Sequence, residues 1–341
     1  MTRALLLLAV AVLPGRAVEP LKLTRTIPLP GVEGRIDHLS VDVLRRRLFV
    51  AALGNNTLEV VDLKAGQRIQ TIKGLHAPEG VLYVQGLNRI YVANGEDGKL
   101  TIFAGTSFSP LHTIGFSGDA DNVRYDVEAR QVYVGYGSGA LGIVDLTAGA
   151  RKVGDIPLDG HPESFQLERG GTRIFVNVPT AGHVAIVDRR ARNVTLKWPL
   201  PGLRENFSMA LDEDEHRLFV GCRKPAQVAV LDTNTGKILA QLDSVGDTDD
   251  LFYDSALKRL YVSGGEGFLS VFQELDPDRY TYLTKIPTAA GRPDVLICPR
   301  FKGILPRCAA SWRADGGGSC IRNATVTKRC RGYTRQAFLG L

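Results

Sequence analysis

Short apolar runs recur along this chain at a fixed interval, and each contains an aliphatic–aromatic–valine step led by a polar residue. The aromatic residues stand at positions 49, 91, 133, 175, 219 and 261, so the interval is 42 residues, with one of 44. Five steps follow an arginine, as in Arg89-Ile90-Tyr91-Val92, and the third follows Gln131. No window carries apolar residues at helical spacing over three turns. A regular repeat of short β-type runs predicts a radial or stacked array of small sheets.

One repeat, residues 79–116, indicates how many strands each unit contains. Polar and glycine-containing turns separate four apolar runs, which are Gly80–Val84, Arg89–Asn94, Leu100–Phe103 and Leu111–Ile114. Four strands in about 42 residues are typical of a propeller blade, whereas leucine-rich solenoids have shorter repeats and α-helical arrays need helices. The predicted fold class is therefore all-β, a β-propeller of four-stranded blades over residues 19–290.

An aspartate ends the third predicted strand of four repeats, at Asp62, Asp145, Asp188 and Asp232. A turn follows each one, as in Thr233-Asn234-Thr235-Gly236-Lys237. Such a carboxylate can accept hydrogen bonds from backbone N–H groups of the turn. Turn capping explains the spacing, so a catalytic role is not needed for these residues.

Two of the repeats carry a resemblance to a known family. Tyr91-Val92-Ala93-Asn94, and the segment from Phe219-Val220 to Gly236-Lys237, resemble repeats of the YVTN-type β-propeller family of exported bacterial proteins. The resemblance covers about residues 20–290. It implies a seven-bladed propeller, usually with a binding role, and it carries no catalytic motif to transfer.

Six complete repeats leave one blade of a seven-bladed design unaccounted for. Residues 21–29 look like a fourth strand without a blade of its own, and pairing with three strands after residue 291 would close the ring. The written sequence after residue 291 contains no further aromatic–valine step and includes Gly316-Gly317-Gly318. We therefore expect six complete blades and a lost seventh.

The tail, residues 291–341, is interpreted as an out-of-frame and disordered product of a frameshift. Residues 293–326 can be translated back into all their permitted codons, and those codons can be read one base later. The permitted product contains a segment LKGFYLA whose tyrosine is in register with position 305, followed by a third strand and a stop. The alternative is a real appendage whose four cysteines form two disulfides. A zinc site is not favoured, because the tail has no C-x-x-C pair and no histidine. Resequencing across codon 291 distinguishes the two, and the same frame in independent isolates would exclude the frameshift.

Residues 1–18 have the pattern of a signal peptide: Arg3, an apolar run from Ala4 to Leu13, and small residues at Gly15 and Ala17. We therefore expect a periplasmic or secreted bacterial protein, a monomer without a membrane span after cleavage. The formal charge of +6 comes from the tail, since ten of the 42 basic residues and two of the 36 acidic ones follow residue 291, leaving 32 against 34 before it. No nucleic-acid partner is expected from the propeller.

An acidic residue stands twelve positions before the aromatic in five repeats. These residues are called the rim acids below: Asp37, Glu79, Asp121, Glu163 and Asp249. The fifth repeat has two extra residues, with Phe207 at the strict position and Glu205 two earlier. The position is the entrance of the first strand, beside the central channel. The candidate ligand-binding rim also includes His38, Asn122, His161, Glu205, Asn206 and Asp250.

Two interpretations of the rim acids stay open at this stage. Each carboxylate could accept backbone N–H bonds at the turn into its strand. Alternatively, the five converging carboxylates bind a divalent cation, with Ca²⁺ favoured by oxygen ligands and a transition metal by His38, His76 or His161. No nucleophile motif is present. The predicted function is a binding or scaffold protein that holds a ligand on its acidic, His-bearing face, and the alternative is a metal-dependent, lactonase-like hydrolase.

Overall fold

The computed structural model describes Leu21 and residues 25–288, together with the backbone of strands at 295–298, 303–306, 308–309 and 323–326. The signal peptide predicted for residues 1–18 lies outside the described residues, and so does most of the tail at 291–341. Both therefore stay predictions. The described regular structure is β-strand apart from one 3₁₀ turn at Leu53–Asn55. No helix in this part of the chain is long and apolar enough to cross a membrane.

Six four-stranded antiparallel sheets follow one another, each with its strands in sequence order. Strand β1 (Arg25–Pro28) precedes them. Blade 1 contains β2 (Leu39–Asp42), β3 (Arg47–Ala52), β4 (Thr57–Asp62) and β5 (Gln67–Lys73). Blade 2 contains β6 (Pro78–Val84), β7 (Arg89–Asn94), β8 (Lys99–Ala104) and β9 (Pro110–Gly115). Blade 3 contains β10 (Ala120–Asp126), β11 (Gln131–Tyr136), β12 (Ala140–Asp145) and β13 (Arg151–Pro157).

The remaining complete blades repeat this arrangement. Blade 4 contains β14 (Phe165–Leu167), β15 (Arg173–Val178), β16 (His183–Asp188) and β17 (Asn193–Pro199). Blade 5 contains β18 (Arg204–Asp212), β19 (Arg217–Lys224), β20 (Gln227–Asp232) and β21 (Ile238–Asp243). Blade 6 contains β22 (Thr248–Asp254), β23 (Arg259–Gly264), β24 (Phe268–Asp276) and β25 (Arg279–Pro287). The four-strand repeat predicted from residues 79–116 is confirmed.

The aromatic residue of each repeat lies on the second strand of its blade, and in blades 1 to 5 it packs against the next blade. All six are at most 2% exposed. Phe49 of blade 1, for example, shares a core with Val81 and Tyr83 of blade 2, and the ring centroids of Phe49 and Tyr83 are 5.2 Å apart. Phe219 of blade 5 likewise contacts Tyr253 of blade 6 at 5.1 Å. The 42-residue period therefore supplies one buried aromatic to each interface between complete blades.

The aspartates at the ends of the third strands cap turns, as the sequence predicts. Asp188 Oδ1 accepts hydrogen bonds from the backbone N–H groups of Arg190 and Ala191, both at 2.8 Å. Asp62 and Asp232 each accept two such bonds, and Asp145 accepts one. These four residues are called the turn acids below.

The first strands of the blades lie side by side around a common axis, in the order β2, β6, β10, β14, β18 and β22. Strand β26 (Val295–Cys298) lies between β22 and β2 and pairs with β27 (Gly303–Pro306). Strand β1 pairs with β29 (Asn323–Val326), which also pairs with β28 (Cys308–Ala309). The N-terminal strand therefore pairs with the C-terminal part of the chain, as predicted.

After residue 291 the described backbone contains β26 to β29, divided between a two-stranded sheet, β26–β27, and a three-stranded sheet, β1–β29–β28. The six complete four-stranded blades expected from the sequence are confirmed. Backbone pairing needs no particular side chain, so a sequence without the repeat pattern can still extend an open sheet edge. The frameshift itself is a separate claim and stays a prediction.

Candidate functional site

Three of the rim acids lie in β-bulges at the start of the first strand. The register between first and second strands shifts between Pro78 and Val81, between Ala120 and Val123, and between Thr248 and Leu251. Glu79, Asp121 and Asp249 stand within these shifts. A bulge bends its strand and redirects a side chain, and bulges are common beside functional sites.

A left-handed residue precedes each of these bulges by two positions. Ala77, Asp119 and Asp247 have φ of +48°, +39° and +53°. None of them is glycine, so each conformation is unfavourable for its side chain and must be held by its surroundings. The same local backbone is therefore built three times, and each time it places an acid at the channel entrance.

The bulges of adjacent blades touch one another directly. A Cβ atom added to Gly80 would lie 2.0 Å from the backbone oxygen of Asp121. The backbone N–H of His38 donates to the carbonyl oxygen of Glu79 at 3.2 Å. Blades 1, 2 and 3 are thus joined where their acids stand, which fixes the spacing between those acids.

His38 lies among three carboxylates that come from blades 1, 3 and 6. Its Nδ1 is 3.9 Å from Asp37 Oδ1 and 3.9 Å from Asp250 Oδ1, and its Nε2 is 3.7 Å from Asp121 Oδ1. Asp37 is 4% exposed and Asp121 is 8% exposed. The register of the repeat therefore brings together four of the residues that the sequence assigned to the rim.

Burial and mutual repulsion raise the pKa values of Glu79, Asp121 and Glu163. Burial, followed by the charges of Asp37 and Asp119, raises the pKa of Glu79 to about 8. Burial, with a further contribution from Asp249, raises the pKa of Glu163 to about 7 even though His161 opposes the shift. Burial and the charge of Asp37 hold the pKa of Asp121 well above its usual range. These groups are close enough to oppose one another's ionisation.

Basic side chains offset part of this negative charge. Arg35 Nη2 lies 3.1 Å from Asp37 Oδ2, and the surrounding carboxylates raise the pKa of Arg35 although burial opposes the shift. Arg223 contacts Asp249 Oδ1 at 3.1 Å and Asp247 Oδ1 at 3.2 Å. The pKa shifts of Glu79, Asp121 and Glu163 show that this compensation is incomplete.

The rim acids differ from turn caps in their hydrogen bonds. Within the described part of the chain, the carboxylates of Glu79, Asp121 and Glu163 accept no hydrogen bond from a backbone N–H. Asp121 Oδ2 accepts one from Asn122 Nδ2, at 2.9 Å. Two oxygens in the same region, Asn122 Oδ1 and Asp249 Oδ2, are buried and have no hydrogen-bond partner among the described residues. The interpretation of these acids as backbone caps is therefore not supported for Glu79, Asp121 and Glu163.

Three residues assigned to the rim have other contacts. His161 Nδ1 donates to the backbone oxygen of Gly137 at 2.6 Å and lies 3.5 Å from Asp119. Glu205 has φ of +56°, the conformation of the residue two places before a bulge, and its carboxylate pairs with Lys224 at 2.6 Å. Asn206 is fully buried and donates to Asn177 Oδ1 and to the His183 backbone oxygen.

Sequence reasoning missed Arg223, which compensates the acids of blade 6 and stacks on Phe207. Its guanidinium carbon lies 3.8 Å from the centre of the Phe207 ring, and Phe207 holds the strict rim position of blade 5. A signal was available. Arg223 stands four residues after the repeat aromatic, where the other five repeats have Leu53, Gly95, Gly137, Pro179 and Gly265.

Comparisons with known proteins agree with the fold. No protein-family model matches the sequence. Two Salmonella proteins called uncharacterized protein YncE, from Salmonella typhimurium (strain LT2) and Salmonella typhi, are each 23% identical to it over 207 residues. The match covers 59% of this chain and 58% of each relative, so it spans little more than half of their length.

Solved structures of low sequence identity share the architecture. The chain resembles a structure of Kuenenia stuttgartiensis hydrazine synthase with a TM-score of 0.68 and 16% identity, covering 80% of this chain and 93% of that one. It resembles a chain of the mitotic checkpoint complex with a TM-score of 0.73 and 15% identity, covering 95% of this chain and 98% of that one. At such identities the likeness concerns the fold alone. Together with the six four-stranded sheets, these similarities show a β-propeller protein.

Proposed function

We propose that this chain is an exported β-propeller binding protein whose acidic, His-bearing channel mouth holds a positively charged ligand. The observation that carries the proposal is the crowding of acids at one entrance of the channel, where carboxylate oxygens of Asp37, Asp121 and Asp250 lie within 3.9 Å of His38. The raised pKa values of Glu79, Asp121 and Glu163 agree with this crowding. In the free protein the ionised form of each of these carboxyl groups is disfavoured. A bound cation favours the charged form, so cation binding relieves this penalty.

The charge balance at the entrance supports a cation over an anion. The rim acids are joined there by Asp119, Asp247 and Asp250, and the nearby cationic groups include Arg35 and Arg223. A channel lined by one sign of charge concentrates ligands of the opposite sign and makes their binding depend on ionic strength. Binding would also release protons from acids whose pKa lies near neutrality.

A simple polyamine, spermidine, provides the test of this proposal. Spermidine should raise the melting temperature of the full-length protein at low salt, and isothermal titration in two buffers should show proton release. The double variant Glu79→Gln/Glu163→Gln should bind more weakly, while Glu128→Gln, an exposed residue in the turn between β10 and β11, should bind as the wild type does. Equal binding by both variants, or none by the wild type, would contradict the proposal.

The metal-dependent, lactonase-like hydrolase remains the second candidate because of one specific observation. Asp37, His38 and Asp121 can place three ligand atoms within 4.8 Å of one another, and Glu79, with a pKa of about 8, is a separate carboxyl group able to serve as a base. A metal ion held there could polarise a carbonyl and activate water. Hydrolysis of a simple lactone that requires added Zn²⁺ and is lost in Glu79→Gln would favour this candidate.

We further propose that the chain is a YVTN-type repeat protein exported through its N-terminal segment. The repeat pattern and the similarity to the YncE proteins support the first part, and the composition of residues 1–18 supports the second. Expression in a Gram-negative bacterium should give a periplasmic product that lacks these residues by mass spectrometry. Retention of the full N-terminus in the cytoplasm would contradict export.

A further inference from the structure

We infer that Asp37, His38 and Asp121 form a binding site for one divalent transition-metal ion of the Zn²⁺ class. This inference rests on the proposed function and deepens it, since it names a ligand class for the channel mouth and the three side chains that hold it.

The spacing of the three groups suits a small ion. One donor atom from each residue lies within 4.8 Å of the other two, and the shortest measured separation, from His38 Nε2 to Asp121 Oδ1, is 3.7 Å. Zinc–ligand bonds of about 2.0–2.2 Å in a tetrahedral site place neighbouring ligand atoms about 3.3–3.6 Å apart. Small side-chain adjustments are therefore enough to close the site around an ion.

The second nitrogen of His38 also has a suitable partner. Nε2 lies 3.7 Å from Asp121 Oδ1, while Nδ1 lies 3.9 Å from both Asp37 Oδ1 and Asp250 Oδ1. Metal-bound histidines donate their other ring N–H to a carboxylate or carbonyl oxygen, which fixes the ring and its tautomer. Asp250 can serve as this orienting acceptor when Nε2 binds the ion.

Asn122 gives an independent indication of a ligand at this place. It is 2% exposed, and its Nδ2 donates to Asp121 Oδ2 at 2.9 Å, which holds the amide against the same carboxylate. Its Oδ1 is buried and has no hydrogen-bond partner among the residues that the structure describes. A buried acceptor without a donor is costly, and most such groups in folded proteins are satisfied. An ion bound by Asp121 would lie beside this amide.

The donor set favours a transition metal over Ca²⁺ or Mg²⁺. Imidazole suits zinc, copper, nickel and iron, whereas Ca²⁺ takes six to eight oxygen ligands and Mg²⁺ keeps much of its water. Asp37 can serve the ion without losing its arginine, because Oδ2 contacts Arg35 and Oδ1 faces His38.

The experiment titrates the full-length protein with Zn²⁺ by calorimetry and with Co²⁺ by visible absorption. The five cysteines of the chain can also bind zinc through their thiolates. The quantity of interest is therefore the equivalent of bound metal that the wild type has and His38→Gln lacks. Asp121→Asn should also lose it. Loss of even an outer partner costs about tenfold to a hundredfold in metal affinity, so loss of a ligand should cost at least about tenfold.

Two histidine variants serve as matched controls. His112 is exposed on β9, and His216 is exposed in the turn between β18 and β19, so His112→Gln and His216→Gln both lie outside the rim. Both should keep the high-affinity equivalent. The absorption of bound Co²⁺ reports imidazole coordination in any variant that retains its melting transition, which separates ligand loss from unfolding.

Each outcome decides the inference. It is overturned if no His38-dependent equivalent exists, if His112→Gln loses the ion equally, or if Ca²⁺ binds the site in preference to Zn²⁺. Should Zn²⁺ fail while spermidine binds in a Glu79- and Glu163-dependent way, the metal site is wrong and the proposed function stands. Failure of both probes would reject both.

Discussion

Acidic residues recur at both ends of the blades, and the two sets have opposite electrostatics. Among the turn acids, hydrogen bonds to Thr147 lower the pKa of Asp145, and hydrogen bonds that include the Ala191 N–H lower the pKa of Asp188. Among the rim acids, burial raises the pKa of Glu79 and Glu163. Acidic residues that recur with the repeat are therefore stabilised in their charged form at one face. At the other face their charged form is disfavoured.

The difference follows from what each backbone offers. A turn after the third strand presents free N–H groups to the carboxylate, so the charge is solvated by the protein itself. A bulge at the start of the first strand instead directs the acid toward acids from other blades. Periodicity alone does not separate the two roles. They are separated by the hydrogen-bond donors and charges that lie next to each carboxylate.

The largest expected effect is the pH dependence of stability in the metal-free protein. Glu79 and Glu163 have folded pKa values of about 8 and about 7 against an ordinary 4.5, so the folded state binds more protons between these limits. The free energy of unfolding should therefore rise by roughly 2–4 kcal/mol as the pH falls from 9 to 5. This range uses about 1.4 kcal/mol per pKa unit and is reduced because the two groups are coupled. Below pH 4 the trend should reverse, because Asp145, Asp188 and Asp232 have lowered pKa values and their stabilising contribution is lost when they are protonated. Urea unfolding with EDTA across this range measures it, and a flat profile above pH 5 would contradict the raised pKa values.

The next effect tests whether the rim depends on contact between adjacent bulges. Gly80→Ala should destabilise the protein by about 2–3 kcal/mol, because the new Cβ would meet the Asp121 backbone oxygen at 2.0 Å and the backbone must shift. Gly86→Ala is the matched control, since no atom lies within 4 Å of its added Cβ. Chemical denaturation compares them. Equal stability of the two variants would show that the bulge of blade 2 can move freely.

A smaller effect is expected at the opposite face. Asp232 accepts bonds from the N–H groups of Asn234 and Thr235 at 3.0 and 2.8 Å, and from the Thr235 hydroxyl at 2.9 Å. Asp232→Ala should cost about 1–2 kcal/mol, as the loss of other backbone-capping side chains does. Asp232→Asn keeps an acceptor oxygen and should cost less. If Asp232→Ala leaves the stability unchanged, the distinction between turn acids and rim acids is wrong.

Much of the fold could be predicted from the sequence because the period is carried by buried side chains. Each aromatic–valine step must fill an interface between blades, so its recurrence fixes the strand order and the blade size. After residue 291, β26 to β29 pair through their backbones although the sequence there lacks the repeat pattern. Side-chain periodicity reports packing, and it does not report backbone pairing at an open edge.

The candidate site was predictable in membership but not in detail. Counting back from the aromatic found Asp37, Glu79, Asp121 and Asp249, since register transfers directly to position around the axis. It could not show that His38 lies between acids of blades 1, 3 and 6, nor that Glu205 pairs with Lys224. Those contacts depend on bulges and left-handed residues, whose positions no apolar pattern records.

The smallest effect separates repulsion from structural need at a single rim acid. Glutamine has nearly the shape of glutamate but cannot ionise, so Glu79→Gln should stabilise the metal-free protein by about 1 kcal/mol at pH 9 and leave it unchanged at pH 5. At pH 5 Glu79 is already protonated, because its folded pKa is about 8. Glu128→Gln, in an exposed turn, should show no such pH-dependent difference. If Glu79→Gln instead destabilises the protein at pH 9, then the charge of Glu79 is held by favourable contacts such as Arg35, and this rim acid is structural in the way the turn acids are.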